Sequence, residues 1–181
     1  MKMARIKTNG TSTIKIRNLA MLLRKILGLG INDAPSAAKL FEKLFFIFGE
    51  HGYDYQIIPD DDQRLGLCEE AKTDITTGKI YVKESVYKSA STEMFTRAAF
   101  TLMHEDGHFL IHRLQGFSLS RVSDKAEIKT YEDPEWQANT FAAEFLMPYE
   151  GCKGLTAEEI KEKYKVTISA AKSRFRNINK K

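Results

Sequence analysis

The chain has 181 residues, of which 43% are hydrophobic, 10% aromatic and 29% charged, with a formal net charge of +4. That length buries one ordinary core and is short for two full domains, and the composition excludes a disordered or fibrous chain. No apolar run approaches the roughly 20 residues that cross a bilayer, no signal-type segment opens the chain, and Cys68 and Cys152 lie far apart outside any metal or redox spacing, so a reducing cytoplasm is the expected setting.

Residues 1 to about 15 lack apolar periodicity and are expected to form a mobile arm. From Ile16 the spacing of Leu19, Leu22, Leu23 and Ile26 predicts a helix that ends at Gly28–Gly30, and a second follows Pro35 through Leu40, Leu44, Phe45 and Phe48. Tyr55–Ile58 reads as a strand closed by Pro59-Asp60-Asp61-Asp62. After the turn Thr77-Gly78, Lys79–Lys83 alternates, with Ile80 and Val82 inward and Lys79, Tyr81 and Lys83 outward. A helix is predicted from about Thr92 to Leu114, then a looser stretch with Gly116, Ser118, Ser120 and Ser123. Asp133-Pro134 starts the next helix, because Asp caps free amides and proline suits the first helical position; it runs to about Pro148. Two shorter helices close the chain, one from Leu155 and one carrying Ile168, Ala171 and Phe175. The expectation is α+β, a small sheet packed on helices, divided as an arm (1–15), a main domain (16–150) and a helical C-terminal extension (151–181).

Three of the four histidines fall in one stretch, His104-Glu105-Asp106-Gly107-His108-Phe109-Leu110-Ile111-His112. On a helix, His104 and His108 lie about 40° apart around the axis and about 6 Å along it, so both imidazoles can converge on one ion. This is the H-E-x-x-H pattern, in which two neutral imidazoles hold a metal, here expected to be zinc, and Glu105 takes a proton from water. The surrounding helix is apolar almost all round, and buried polar groups are costly unless a metal or other partner satisfies them. A pair of hydrogen-bonded core histidines with a chance glutamate is the bland alternative. His112 is a tempting third ligand, but an unbroken helix sets it about 12 Å from His104 along the axis, and no glycine or proline turns the chain between them. It is expected to be a buried structural residue or a support for the ligands.

Glu135 is the better third ligand. Ala138, Phe141, Ala142, Phe145 and Leu146 form an apolar stripe, and Glu135 and Asn139 share one edge of it, where both face a groove beside the core. Asn139 is placed to orient a ligand histidine, whereas Glu144, roughly opposite Ala138, is expected in solvent. The competing use of Glu135 is charge compensation at a helix N-terminus.

At these residues the sequence resembles the ImmA/IrrE family of metallopeptidases, through Phe100-Thr101-Leu102-Met103-His104-Glu105-Asp106-Gly107-His108 with His112 and through Glu135-Trp136-Gln137-Ala138-Asn139 running on to Leu146-Met147-Pro148. Asp106 replaces a usual apolar residue and Gln137 stands where a second glutamate is common. The resemblance implies a zincin-like domain and a zinc endopeptidase that cleaves a helix-turn-helix transcriptional repressor to switch on a mobile element or stress response. Zincin-like folds set an edge strand beside the metal helix, so Ile80, Tyr81 and Val82 are expected to pair with an extended peptide substrate. The alternative is a regulator with a structural or vestigial metal site. Its basic residues, from Lys2 to Lys25 and from Lys161 to Lys181, would contact nucleic acid, although such runs serve more often as solvated surface.

Overall fold

The computed structural model describes residues 5–92, 97–116, 119–123 and 127–180. Where a mobile arm is expected, Arg5–Lys7 forms strand β1, paired antiparallel with β5 (Ser120–Val122). The amides of Thr8 and Thr11 then donate to the carbonyls of Glu132 and Tyr131, and both threonines are buried. Long-range backbone pairing therefore ties down a segment that has no apolar periodicity to announce it.

Ser12 caps helix α1 (Thr13–Ile26), its side chain accepting from the Lys15 amide. Helix α2 (Ala37–Phe48) follows, then a three-stranded sheet in the order β2 (Asp54–Ile58), β4 (Lys79–Lys83), β3 (Ala71–Asp74). Strand β4 runs parallel to β2 and antiparallel to β3. Ile80 and Val82 do point inward, each 0% exposed. The expected edge role of this strand, however, is corrected: β4 is the central strand, and both its backbone edges are taken. Ile80, Tyr81 and Val82 therefore have no free main-chain groups with which to pair a peptide.

After α3 (Glu84–Ser91), helix α4 (Ala98–Gly107) passes directly into a π-helical segment, His108–Leu114. The start expected near Thr92 falls partly on residues 93–96, outside the described residues, as do residues 117–118 of the loose stretch. Helix α5 (Pro134–Leu146) begins at Asp133, whose side chain accepts from the Glu135 amide. Short α6 (Tyr149–Cys152), α7 (Ala157–Tyr164) and α8 (Ile168–Ile178) complete the chain.

Helix α5 packs along α4 on one flank and α1 on another. Phe109, Phe141 and Phe145 are each 0% exposed, and burial of each contributes about 1.5–3 kcal/mol, so apolar packing holds the two site-bearing helices together. Gly107 lets them close: a Cβ there would lie 3.1 Å from Ala138 Cα and 3.2 Å from a Phe141 ring carbon. Glu144, expected in solvent, is buried. Arg17 from α1 and Arg174 from α8 both grip its carboxylate, at 3.1 Å and 2.7–2.9 Å, and so close that face of α5. Among the described residues no helix is long and apolar enough to cross a membrane.

Candidate metal centre

His104 ends its helix turn facing α5, and His108 opens the π-helical segment one turn on. Their Nε2 atoms lie 3.0 Å apart, and Glu135 Oε2 and Oε1 lie 3.3 Å and 3.4 Å from them respectively. These three residues form a group that could hold a metal ion.

Hydrogen bonds at the far side of each ring fix the tautomers. His104 Nδ1 is 3.0 Å from Asn139 Oδ1, an acceptor, so Nδ1 carries the proton and Nε2 presents its lone pair. For His108 the reasoning runs through two further residues. The Gln137 amide nitrogen donates to the carbonyls of Asn9 (2.9 Å) and Tyr131 (2.8 Å), which leaves its carbonyl oxygen facing His112 Nε2 at 3.0 Å. His112 therefore donates from Nε2. Burial, with the neighbouring His108 adding to it, pushes the His112 pKa down to about 4, so at neutral pH the ring is uncharged and its Nδ1 is an acceptor. The contact of 3.1 Å between His112 Nδ1 and His108 Nδ1 then requires the proton on His108 Nδ1, and His108 Nε2 also presents a lone pair.

Two imidazole lone pairs and a carboxylate thus face one point, an arrangement that requires positive charge between them. Glu135 is held well below the usual carboxylate range, by its contact with His104 first and His108 second. His104 is raised: burial opposes this, but the bond to Glu135 and the charge of Glu105 outweigh it. The donor set fits a tetrahedral ion. Bonds of about 2.1 Å set ligand atoms about 3.4 Å apart, close to the 3.0–3.4 Å separations here. The Glu135 side chain is 65% exposed, so the cluster is open on one side.

Glu105 lies one residue from His104, and its carboxylate is held from the sheet. Thr73 Oγ1, on β3, is 2.7 Å from Glu105 Oε2 and 3.0 Å from its carbonyl oxygen. Neither Thr73 nor strand β3 is singled out by the sequence reading, although the turn at Thr77-Gly78 implies a partner strand before it. Behind the site, Tyr53 Oη donates to Asp106 Oδ1 at 2.7 Å, and burial drives the Asp106 pKa far up, which favours the uncharged form of this core carboxyl.

Of the expected residues, the structure brings His104, His108, Glu135, Asn139 and His112 into one cluster with Glu105 beside it, and sets Ile80 and Val82 apart in the core. Arg174, one of the C-terminal basic residues offered to nucleic acid, is 5% exposed and committed to Glu144.

The family model described as peptidase M78, the IrrE N-terminal-like domain, matches residues 86–176, half of the chain, and spans His104 to Glu144. The chain belongs to this family. Its membership supports a metallopeptidase-type function, in agreement with a donor cluster of this composition. No curated protein matches the chain.

Proposed function

We propose that this M78 family member is a zinc-dependent endopeptidase, and that its substrate is a helix-turn-helix transcriptional repressor whose cleavage switches on a mobile element or stress response. The observation that carries the catalytic reading is the convergence of two Nε2 lone pairs and one carboxylate beside Glu105. Two imidazoles and a carboxylate suit zinc, and three protein ligands with one open side are the pattern of a catalytic rather than a structural zinc site. The substrate assignment rests on the family resemblance.

Zinc held by His104, His108 and Glu135 supplies a Lewis acid for the peptide carbonyl and brings the acidity of a water near neutrality. Glu105 takes the proton of the attacking water and returns it to the leaving amine. Thr73 occupies Oε2 of that carboxylate, which leaves Oε1 to face the water. Gln137 and His112 keep the His108 proton on Nδ1, away from the metal side.

Substrate backbone pairs best with β3, whose outer edge pairs with no other strand among the described residues. The Lys83 amide donates to the Glu70 carbonyl, so Lys72 and Asp74 also turn their main-chain groups towards β4, and Ala71 and Thr73 turn theirs outward. Thr73 therefore serves both parties: its main chain faces the peptide and its hydroxyl holds the base.

Replacing Glu105 tests the reading. Glu105→Gln keeps its zinc and its substrate affinity but loses about 10²–10⁴-fold in turnover, because an amide cannot accept the water proton. Undiminished cleavage by this variant refutes the role of Glu105.

A further inference from the structure

Beside the metal centre lies a cavity of about 850 Å³, within the roughly 300–1,000 Å³ of pockets that enclose a ligand. One wall is the face of α5 carrying Trp136, Thr140 and Ala143, residues three and four apart that share a stripe, continued just past the helix by Met147. The opposite wall is α8, through Ala170 and Ile178. Its end at the metal centre is marked by Asn139, which lines the cavity and also binds His104, and by Phe100, one turn before His104 on α4. The cavity thus adjoins the site through Asn139, on the Nδ1 side of the His104 ring, and through Phe100, and the C-terminal helix forms part of it.

Its charge is one-sided. Among the described residues three arginines, Arg17, Arg97 and Arg174, line it against one carboxylate, Glu144, a formal excess of +2. Arg17 and Arg174 are spent on Glu144, while Arg97 is 81% exposed and only 3.8 Å from Glu70, a loose pair at the mouth. An apolar interior with an exposed, loosely paired cation at its rim suits an apolar side chain followed by an acidic one.

The side of the scissile bond follows from the strand. Glu70, just before β3, meets Thr101 and Arg97 near the start of α4; Thr73 meets Glu105; and the carbonyls of Ile75 and Thr76 meet Arg113 beyond it. Strand β3 and α4 therefore run in the same direction. A peptide on the free edge of β3 pairs more stably antiparallel. It then carries the residues after the scissile bond back over the start of α4, where Phe100 and Arg97 line the cavity.

We infer that this cavity is the specificity site for the leaving side of the substrate, taking a bulky apolar residue just after the scissile bond with an acidic residue next to it. The inference rests on the peptidase reading above and narrows its substrate class. It is tested by cleaving a degenerate peptide library with the zinc-loaded full chain and sequencing the products. The expected result is enrichment of Leu, Met or Phe after the cut, followed by Asp or Glu. Ala143→Phe and Ala170→Phe, which fill the cavity from opposite walls, lower cleavage of such peptides by about tenfold or more and shift the choice towards Ala and Gly. Enrichment confined to residues before the cut, or a preference unchanged in both variants, overturns it. Trp136 is the only tryptophan in the chain and lines the cavity, so its fluorescence gives a readout that needs no turnover. Should the wild type leave the whole library uncut, the peptidase reading fails and the cavity is judged by titrating an apolar–acidic peptide alone. A change in Trp136 emission that both variants abolish supports the pocket, and no change overturns it.

Discussion

Gln137 touches none of the three ligand atoms, yet its carbonyl decides which nitrogen of His108 is free. Two main-chain carbonyls hold its amide nitrogen, and the remaining oxygen dictates the tautomer of His112 and, through it, that of His108. Gln137→Leu is therefore expected to weaken zinc binding about 10–100-fold in a chelator competition, whereas Gln137→Glu, which keeps an acceptor facing His112 but sets its second oxygen against the Asn9 and Tyr131 carbonyls, restores only part of the loss. Equal zinc affinity in all three proteins contradicts the relay. The sequence places His104, His108 and Glu135 on their helix faces by spacing alone, because helical geometry is local. It cannot reveal the relay, since Asn9 lies far from Gln137 along the chain and meets it only after residues 5–12 are pinned to the start of α5.

The two site-bearing helices can share a metal only because they lie close, and Gly107 sets that closeness. A methyl group there meets the Ala138 backbone at 3.1–3.2 Å, too rigid a neighbour to yield without the helices moving apart. Gly107→Ala is expected to cost about 1–3 kcal/mol in denaturant unfolding and to weaken zinc binding together with stability. Unchanged values of both contradict this account of the helix contact. The apolar periodicity that makes α4 and α5 legible says nothing of their separation or of the π-helical turn after Gly107, a geometry frequent at functional sites. The short strand β3, four residues with one buried position, carries too little pattern to announce itself, so the edge role that a zincin-like fold implies falls in the sequence on the more regular β4.

Across the whole molecule, Glu144 joins the N-terminal helix, the site helix and the C-terminal helix through Arg17 and Arg174. Helix position alone points this residue to solvent, because the chain segments that cover it lie more than a hundred residues before it and thirty after it. Burial opposes its charge, but the two guanidinium groups outweigh burial and lower its pKa. A carboxyl whose pKa is lower in the fold than in the unfolded chain stabilises above the unfolded value of about 4.3, and that contribution disappears as pH falls through the folded value. Glu144→Gln is thus expected to lose about 3 kcal/mol at neutral pH, where the buried Arg174 and the part-exposed Arg17 are left without their partner, and to differ less from the wild type in acid unfolding below about pH 4. A gap that stays constant with pH contradicts the ion-pair account.

The most direct test of the metal centre is elemental analysis of the purified chain and of its His108→Ala variant. The arrangement of His104, His108 and Glu135 predicts about one zinc per chain in the wild type and background metal in the variant, with both proteins folded because apolar packing holds α4 to α5. A wild-type protein that binds no divalent metal, or a variant that keeps its full complement, contradicts it.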